Sequence, residues 1–452
     1  MNRAILIVVT LGCIAISEPA WPQKKVLTFQ DALQIAIKNS VLLNQQKNNL
    51  TLSEMQRTAS YAGLGPTLSV NGGATKVNGN TFNQNTGEVV NGVFEQLSGS
   101  INANINIFSG LSQFNQVKRS VNLLDAQSYY INRTLQDVIN TVSIQYLTVL
   151  VDVELLRIAQ ENFDVLKKQL EQVRAQVELG SRSPVDGYTQ DSQTKAAEIR
   201  ALQAEITLIT DKGSLTQTLL LEPTEQFDVA KPDWDVNMIG SRQIELDVLF
   251  EAALKNRGDY LRAKKSEQAA KYAMNASRGG MMPTLSAFGT LYSAYNKADG
   301  DPNVRPIGDQ FRTDNLRKVY GLQLYIPVFG GNQNLQNRTA YVQQKVNYFN
   351  TQTLTKNAEI QVKTDVVRAY ENFNLYKKTY TVSLEQLIAA EMAFELERER
   401  YNLGITNLVD FTQANRILVQ AQTDRAQAEY RLLFQKILLD YAIGTLKPED
   451  LD

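Results

Sequence analysis

LSQFNQVKRSVNLLDAQSYYINRTLQDVINTVSIQYLTVLVDVELLRIAQENFDVLKKQLEQVRAQVEL, residues 111–179, runs for 69 residues without a glycine or a proline. Its apolar side chains fall at Phe114, Val117, Val121, Leu124, Ile131, Leu135, Val138 and Val142. That alternation of three and four marks the seam of a supercoiled helix. Val138, Val142 and Tyr146 are spaced four and four, and the beat resumes at Val149, Val153, Leu156, Phe163, Leu166, Leu170, Val173 and Val177. Such a slip is a stutter, which changes the supercoil locally without ending the helix. The stretch therefore predicts one helix over 111–179, a rod roughly 100 Å long at 1.5 Å per residue. A second run without Gly or Pro covers 332–403, or 72 residues. A chain that makes two such rods spans a distance.

Composition narrows what such rods can do. The 452 residues would ordinarily divide into two or three domains, a prior that long rods weaken. A formal net charge of −1 and a charged fraction of 21% offer no basic face for nucleic acid and no acidic tail. There is no histidine, and the one cysteine is Cys13. Once a leader containing Cys13 is removed, thiol nucleophiles, His-based triads and His/Cys zinc sites are all excluded, so neither a metal nor a cofactor is expected. The absence of thiols also suits an oxidising compartment. Carboxylates are spread along the amphipathic rods with no cluster that would form a catalytic pair, so no enzymatic activity is expected.

The leader is read from Arg3 followed by the apolar run Ala4 to Ile16, with small residues in Ala15-Ile16-Ser17. This predicts a secretory signal over 1–17, cleaved between 17 and 23. An uncleaved anchor would need about 20 apolar residues. Lipidation of Cys13 through Leu11-Gly12-Cys13 is the other alternative, with a hydrophobic core of only about nine residues. No later segment is apolar enough to cross a membrane as a helix, so any crossing falls to strands.

After the leader, residues 27–62 read as a helix, entered through Thr28 with Asp31 three residues on, the pattern of a capping box. Gly63 to Gly65 stops it. A strand near 66–77 follows, in which Leu68 and Val70 alternate with Ser69 and Asn71. The Asn-, Gly- and Thr-rich stretch 78–95 reads as a long loop. A second strand near 96–108 places Ile101, Ala103, Ile105 and Ile107 on one face and Ser100, Asn102, Asn104 and Asn106 on the other, as in a wall between lipid and water. The long helix ends at Leu179-Gly180, and the turn offers Ser183 as N-cap with Pro184 at the first helical position. A return helix over 184–221 has its seam at Ile199, Leu202, Ile206 and Ile209. Residues 223–241, with Pro223 and Pro232, read as a connector.

The second half retraces the first. Ile35-Ala36-Ile37-Lys38-Asn39 matches Ala252-Ala253-Leu254-Lys255-Asn256, and Pro66-Thr67-Leu68-Ser69 matches Pro283-Thr284-Leu285-Ser286, both at an offset of 217. Leu179-Gly180 with Val185-Asp186 matches Leu403-Gly404 with Val409-Asp410 at 224. The first repeat thus covers 24–222 and the second 242–448, the latter with strands near 283–295 and 318–329, a long helix over 332–403 and a return helix over 408–443. The two inter-strand loops, the second over 296–318, lie at one end of the molecule and the two helical turns at the other.

In this order the chain resembles the TolC family of outer membrane efflux proteins. The resemblance is carried by Leu27-Thr28-Phe29-Gln30-Asp31-Ala32-Leu33, the Pro-Thr-Leu-Ser strand starts, Phe329-Gly330-Gly331, and Tyr401-Asn402-Leu403-Gly404 leading to Leu408-Val409-Asp410. It implies a mostly α protein with membrane β, a homotrimer whose four strands per chain form one 12-stranded β-barrel in outer membrane lipid. The barrel would be continued by an α-helical coiled-coil tunnel across the periplasm of a Gram-negative bacterium. It also implies partners, a periplasmic adaptor and an inner-membrane transporter, for which this chain is the passive exit duct of an efflux or type I secretion system. Docking would fall at the tips, Gly180, Ser181, Arg182, Ser183 and Gly404, Ile405, Thr406, Asn407. Ser69, Asn71, Asn102, Asn104 and Asn106 would line the channel. Carried over residue by residue, Asp410 rings the periplasmic entrance and Tyr401 ties to Asp186 to hold it shut, while Gln413 replaces a second acid and Thr406 replaces an Arg. Asn407 with Asp410, and Ser183 with Asp186, also read as helix N-caps with an acid in the first turn. A trimeric coiled-coil surface stalk or adhesin without conduction is the alternative reading of the rods.

Overall fold

The computed structural model describes residues 25–83, 87–224, 227–232, 245–298, 303–328 and 331–447. The expected signal segment, most of the connector, and Phe329 and Gly330 lie outside them. Strand β1 (Lys25–Leu27) leads into α1 (Phe29–Asn39) and α2 (Val41–Ala62), then β2 (Thr67–Asn83), β3 (Glu88–Ser109), α3 (Ser112–Glu178), α4 (Pro184–Leu219) and β4 (Phe227–Val229). The second repeat follows as α5 (Leu246–Asn256), α6 (Gly258–Arg278), β5 (Thr284–Ala298), the short turn α7 (Ile307–Asp309), β6 (Arg317–Tyr325), α8 (Gly331–Asn402) and α9 (Leu408–Ile443). No described helix is long and apolar enough to cross a membrane.

Both long rods form as the absence of Gly and Pro predicts, 67 residues in α3 and 72 in α8. The capping box at the start of α1 is also present, with Thr28 accepting from the Asp31 N–H and Asp31 reaching back to Thr28. The first helix is not continuous, however. It breaks at Ser40, whose side chain accepts from the Leu43 N–H at 3.2 Å and N-caps α2. Arg257, 217 residues later, breaks the matching helix of the second repeat. Leu27, expected to open the helix, instead ends β1, which pairs in parallel with β4.

The largest correction concerns the loop expected over 78–95. β2 and β3 pair in unbroken antiparallel register from Thr67↔Asn104 to Asn83↔Glu88, so most of that stretch is hairpin. Its Asn, Gly and Thr residues read as loop because neither face there is apolar, but in a hairpin the ladder itself satisfies the backbone. The second loop is real, though shorter, since β5 runs to Ala298. Beyond the start of β6, the free edge of β5 is met by Gln310, whose side-chain amide accepts from the Asn296 N–H at 3.0 Å and donates to the Asn296 carbonyl at 3.1 Å. One side chain thus replaces a strand's pairing.

The four strands form one sheet in the order β2-β3-β5-β6, in which the β3–β5 pair joins the two repeats. Below it, the helices form a single layer. Nearer the sheet, α3 lies between α2 and α6, and α6 lies against α8; nearer the turns, α3 lies between α4 and α9, and α9 lies against α8. The close passage from strand to helix depends on Gly110 at φ +60°, where a side chain would strike Met282 and Gly279. A buried core where the halves of the layer meet gathers Leu27, Phe29 and Leu33 with Ile139, Tyr146, Leu215, Leu219, Phe227 and Ile437. The Tyr146 hydroxyl stands 2.8 Å from the carbonyls of both Leu27 and Ala230, clamping the β1–β4 pair to α3.

The seam of α3 is half right. Val117, Val142, Tyr146, Val149, Leu166, Leu170 and Val173 are buried, whereas Phe114 and Val153 are exposed. On α4 the seam does not face α3 at all: Ile199, Leu202, Ile206 and Ile209 are 53–63% exposed, and α4 packs on α3 through Gln190, Thr194 and Ala197.

Candidate functional site: strand wall and helical tips

The strand register sorts side chains onto two faces, because successive residues of a strand point to opposite sides. Ser69 lies opposite Asn102, Asn71 opposite Ser100 and Thr67 opposite Asn104, and Asn102 and Asn106 in turn lie opposite Thr290 and Ser286. Ser69, Asn71, Asn102, Asn104 and Asn106 therefore share one polar face, knitted by bonds such as Thr290 Oγ1 to Asn102 Oδ1 at 3.0 Å. The other face carries Leu68, Val70, Ile101, Ala103, Ile105, Ala287, Leu291, Leu322 and Leu324. A bulge between Asn106 and Phe108 alters the pattern at one end. It leaves Ile107 without a partner and sets Phe108 opposite Leu285. The polar face is not uniform, since it also carries Phe288 opposite Asn104, Tyr292 opposite Ser100 and Val319 opposite Thr290; with an aliphatic band on the reverse, the sheet suits hydrocarbon on one side and water on the other.

At the opposite end of the rods the two turns are built alike. Gly180 and Gly404 adopt φ +71° and +73°, and each helix ends with paired bonds, Ser181 N–H to Gln176 and Gly180 N–H to Val177 in one, Ile405 N–H to Arg400 and Gly404 N–H to Tyr401 in the other. Leu179, Val185, Leu403 and Val409 stand bare around them, each more than two-thirds exposed.

The Asp410 N–H donates to Asn407 Oδ1 at 2.9 Å, and Thr406 Oγ1 donates to Asp410 Oδ2 at 3.2 Å. Asn407 is thus the N-cap of α9, and Thr406 holds the Asp410 carboxyl from within the same turn. Ser183 caps α4 by accepting from Val185 N–H at 3.3 Å, while the Asp186 N–H goes to the Ser183 carbonyl. Gln413 accepts from the Arg416 guanidinium rather than facing another chain element.

The expected tie between Tyr401 and Asp186 is not made within the chain. Tyr401 is buried in an aromatic cluster, stacked on Phe411 with centroids 4.9 Å apart, and Phe394 lies 5.7 Å beyond. Its hydroxyl makes no hydrogen bond of ordinary geometry. Burial pushes the phenol pKa up, with Asp186 adding to the rise and Arg182 and Gln169 opposing it. What joins the two tips instead is Arg182, whose guanidinium carbon sits 4.3 Å from the Tyr401 ring centroid. Two further contacts cross between the repeats above the tips, Asn415 to Asn162 at 2.8 Å and Thr412 to Gln193 at 3.0 Å. None of the three is signalled by spacing, since the partners lie about two hundred residues apart.

A duplicated sheet with one dry and one wet face, set on helices of this length, defines the outer membrane channel fold. The sequence model of the outer membrane efflux protein family matches residues 32–219 and 249–445, and the chain belongs to that family. It is 21% identical to outer membrane protein TolC of Escherichia coli (strain K12) over 325 residues, 70% of this chain and 62% of that protein, so the match spans less than two thirds of that relative. Among solved structures it is similar to VceC of Vibrio cholerae, with a TM-score of 0.79 at 14% identity over 92% of this chain and 96% of that one. The Campylobacter jejuni CmeC outer membrane channel gives a TM-score of 0.77 at 14% identity over 99% and 96%. These likenesses give the fold. The family offers no support for the surface-stalk alternative.

Proposed function

We propose that three copies of this chain close into a passive duct through the outer membrane of a Gram-negative bacterium and across its periplasm. The observation that carries this is the joint between β3 and β5. It pairs the last strand of one repeat with the first strand of the next, so the same joint can be made between β6 of one copy and β2 of another. Without it, two strand edges stand unpaired, which hydrocarbon does not tolerate. Twelve strands then surround a bore lined by Ser69, Asn71, Asn102, Asn104 and Asn106, neutral groups that solvate many solutes and hold none tightly.

The duct supplies no energy. A periplasmic adaptor docks on the tips at Gly180 to Ser183 and Gly404 to Asn407, where the bare Leu179, Val185, Leu403 and Val409 give it apolar surface in both repeats. An inner-membrane transporter drives cargo through, and Asp410 rings the periplasmic mouth. Light scattering of the purified protein in detergent is expected to give a trimer, and planar-bilayer recording a stable unitary conductance; a monodisperse monomer without conductance refutes the reading. Adaptor crosslinks that map to the barrel loops and spare both tips refute the docking site.

A further inference from the structure

Two grooves run along α9 on the side of the helical layer turned away from β1, β4 and α1. One, of about 260 Å³, lies between α3 and α9 and is walled on α3 by Ile144, Thr148, Val151 and Leu155. The other, of about 450 Å³, lies between α8 and α9, with Leu375, Lys378, Thr379 and Val382 on α8 and Asp424 on α9. Gln427 and Arg431 line both. The Arg431 side chain therefore stands on the ridge where the grooves join.

The side of the layer is fixed by helical phase. On α3, Ile139, Val142, Tyr146 and Val149 pack into the core beneath β1 and α1. Ile144, Thr148 and Leu155 fall on the opposite face at 100° per residue, and Val151, which also touches that core, borders it. We take the β1, β4 and α1 belt to lie outside the ring proposed above, which turns that face into the bore, and the inference rests on that reading.

Two carboxylates, Asp152 and Asp424, line the double groove beside its two cations, and Asp152 is buried in the α3 wall. Asp424 is already engaged, accepting from Gln420 at 2.8 Å and Gln386 at 3.3 Å. Arg425 of α9, by contrast, is paired with Glu429 at 2.9 Å. Arg431 and Lys378 are exposed, and among the described residues neither makes an ion pair or a hydrogen bond. Leu375 and Val382 beside them are 58% and 61% exposed, and Ile144 40%. Two free cations thus border bare apolar walls.

We propose that this double groove is a binding station for amphipathic anions inside the duct. It takes a molecule with one carboxylate, sulfonate or phosphate head and a flat or chain-like apolar body. The head sits on Arg431, whose planar fork suits an oxyanion, with Lys378 beside it; the body lies on Leu375 and Val382 or crosses to Ile144 and Val151. Cargo of this class would be held briefly in transit, and three such stations would ring the bore.

The test uses 1-pyrenesulfonate on the full-length protein in lipid nanodiscs, with binding read by pyrene anisotropy against empty nanodiscs, and in planar bilayers, with block of unitary current as the readout. The expected result is saturable binding and block, both weakened about tenfold or more by Arg431→Gln and less by Arg431→Lys, with Arg416→Gln as an unaffected control. Leu375→Ser should weaken pyrenesulfonate while leaving the response to inorganic sulfate unchanged. A trimethylammonium pyrene should gain nothing from Arg431. If Arg431→Gln binds and blocks as the wild type does, or if inorganic sulfate matches pyrenesulfonate, the station is refuted while the duct stands. If no variant conducts, the duct reading falls, and the binding measurements alone then decide the groove.

Discussion

Replacing Asp410 with Asn separates a gate charge from a helix cap. The structure indicates how little stability the change removes. Asn407 Oδ1 keeps the cap bond to the backbone N–H of residue 410, and an amide oxygen can still accept from Thr406 as Oδ2 does at 3.2 Å. What disappears is one negative charge in the first turn of α9, about 0.3–1 kcal/mol per chain. A domain of ordinary stability, on the order of 5–15 kcal/mol, stays folded after such a loss. The three carboxylates that concentrate cations at the proposed mouth disappear together, however. Reversal potentials under a salt gradient should collapse toward zero, and block by a trivalent cation added from the periplasmic side should vanish, with the trimer intact by light scattering. Asn407→Ala is the converse: it removes the cap at a cost of about 1 kcal/mol but keeps the charge, so thermal stability should fall while selectivity persists. If selectivity and block survive Asp410→Asn, Asp410 serves only the helix and the constriction lies elsewhere.

Three more outcomes follow from the same contacts. On the sheet, Ile101→Arg should abolish assembly of the trimer in membranes, costing about 2–4 kcal/mol per chain at mid-bilayer, whereas Asn102→Arg on the other face should assemble and shift ion selectivity; equal assembly of both would invert the wall. Arg257 is 2% exposed, bridges Asp259 and Asp365, the latter at 2.9 Å, and has a raised pKa. Arg257→Ala strands both partly exposed carboxylates beside the break between α5 and α6, and denaturant unfolding should register a loss on the order of 2–3 kcal/mol. Burial, with Asp211 beside it, pushes the Asp152 carboxyl from 3.8 up to about 7. A carboxyl raised on folding contributes stability that is full below its unfolded pKa and is lost as pH climbs through the folded one. The melting temperature should therefore decline between about pH 4 and pH 7 more steeply in the wild type than in Asp152→Asn, and parallel curves would contradict the assignment.

How much of this was legible in the sequence depends on whether the partner of each residue is near in the chain. The rods, their glycine stops and the Thr28–Asp31 box were legible because each is decided within one or two turns. The alternation of Ile101, Ala103 and Ile105 with Asn102, Asn104 and Asn106 was legible for the same reason. The hairpin beyond Asn78 was not, since its strands mix Asn, Gly and Thr with Val and Phe on both faces and carry no clean alternation to read. Ser40 gave no warning either, as a serine inside a helical pattern becomes an N-cap only when packing turns the chain there. The Arg182–Tyr401 stack joins tips that only the folded duplication brings together.

The return-helix seam is the instructive case. Periodicity marked Ile199, Leu202, Ile206 and Ile209 as a helix seam, yet within one chain all four are more than half exposed. The duplication answers this. In the second repeat, α9 packs on its own hairpin partner α8 and also on α3 of the preceding repeat, whereas α4 packs on α3 and, at its C-terminal end, on α1. In the ring proposed above, the α8 of another copy would take the corresponding place beside α4. On α8 the side facing away from α9 carries Ile388, Met392 and Leu396, 46–66% exposed. Two apolar ridges, one on each free edge of the layer, meet only when the copy next in the ring supplies the preceding repeat, which is also the step that joins β6 to β2. Helices and strands thus demand the same neighbour on the same side, and a seam that looks misplaced in one chain is in register once the ring is closed.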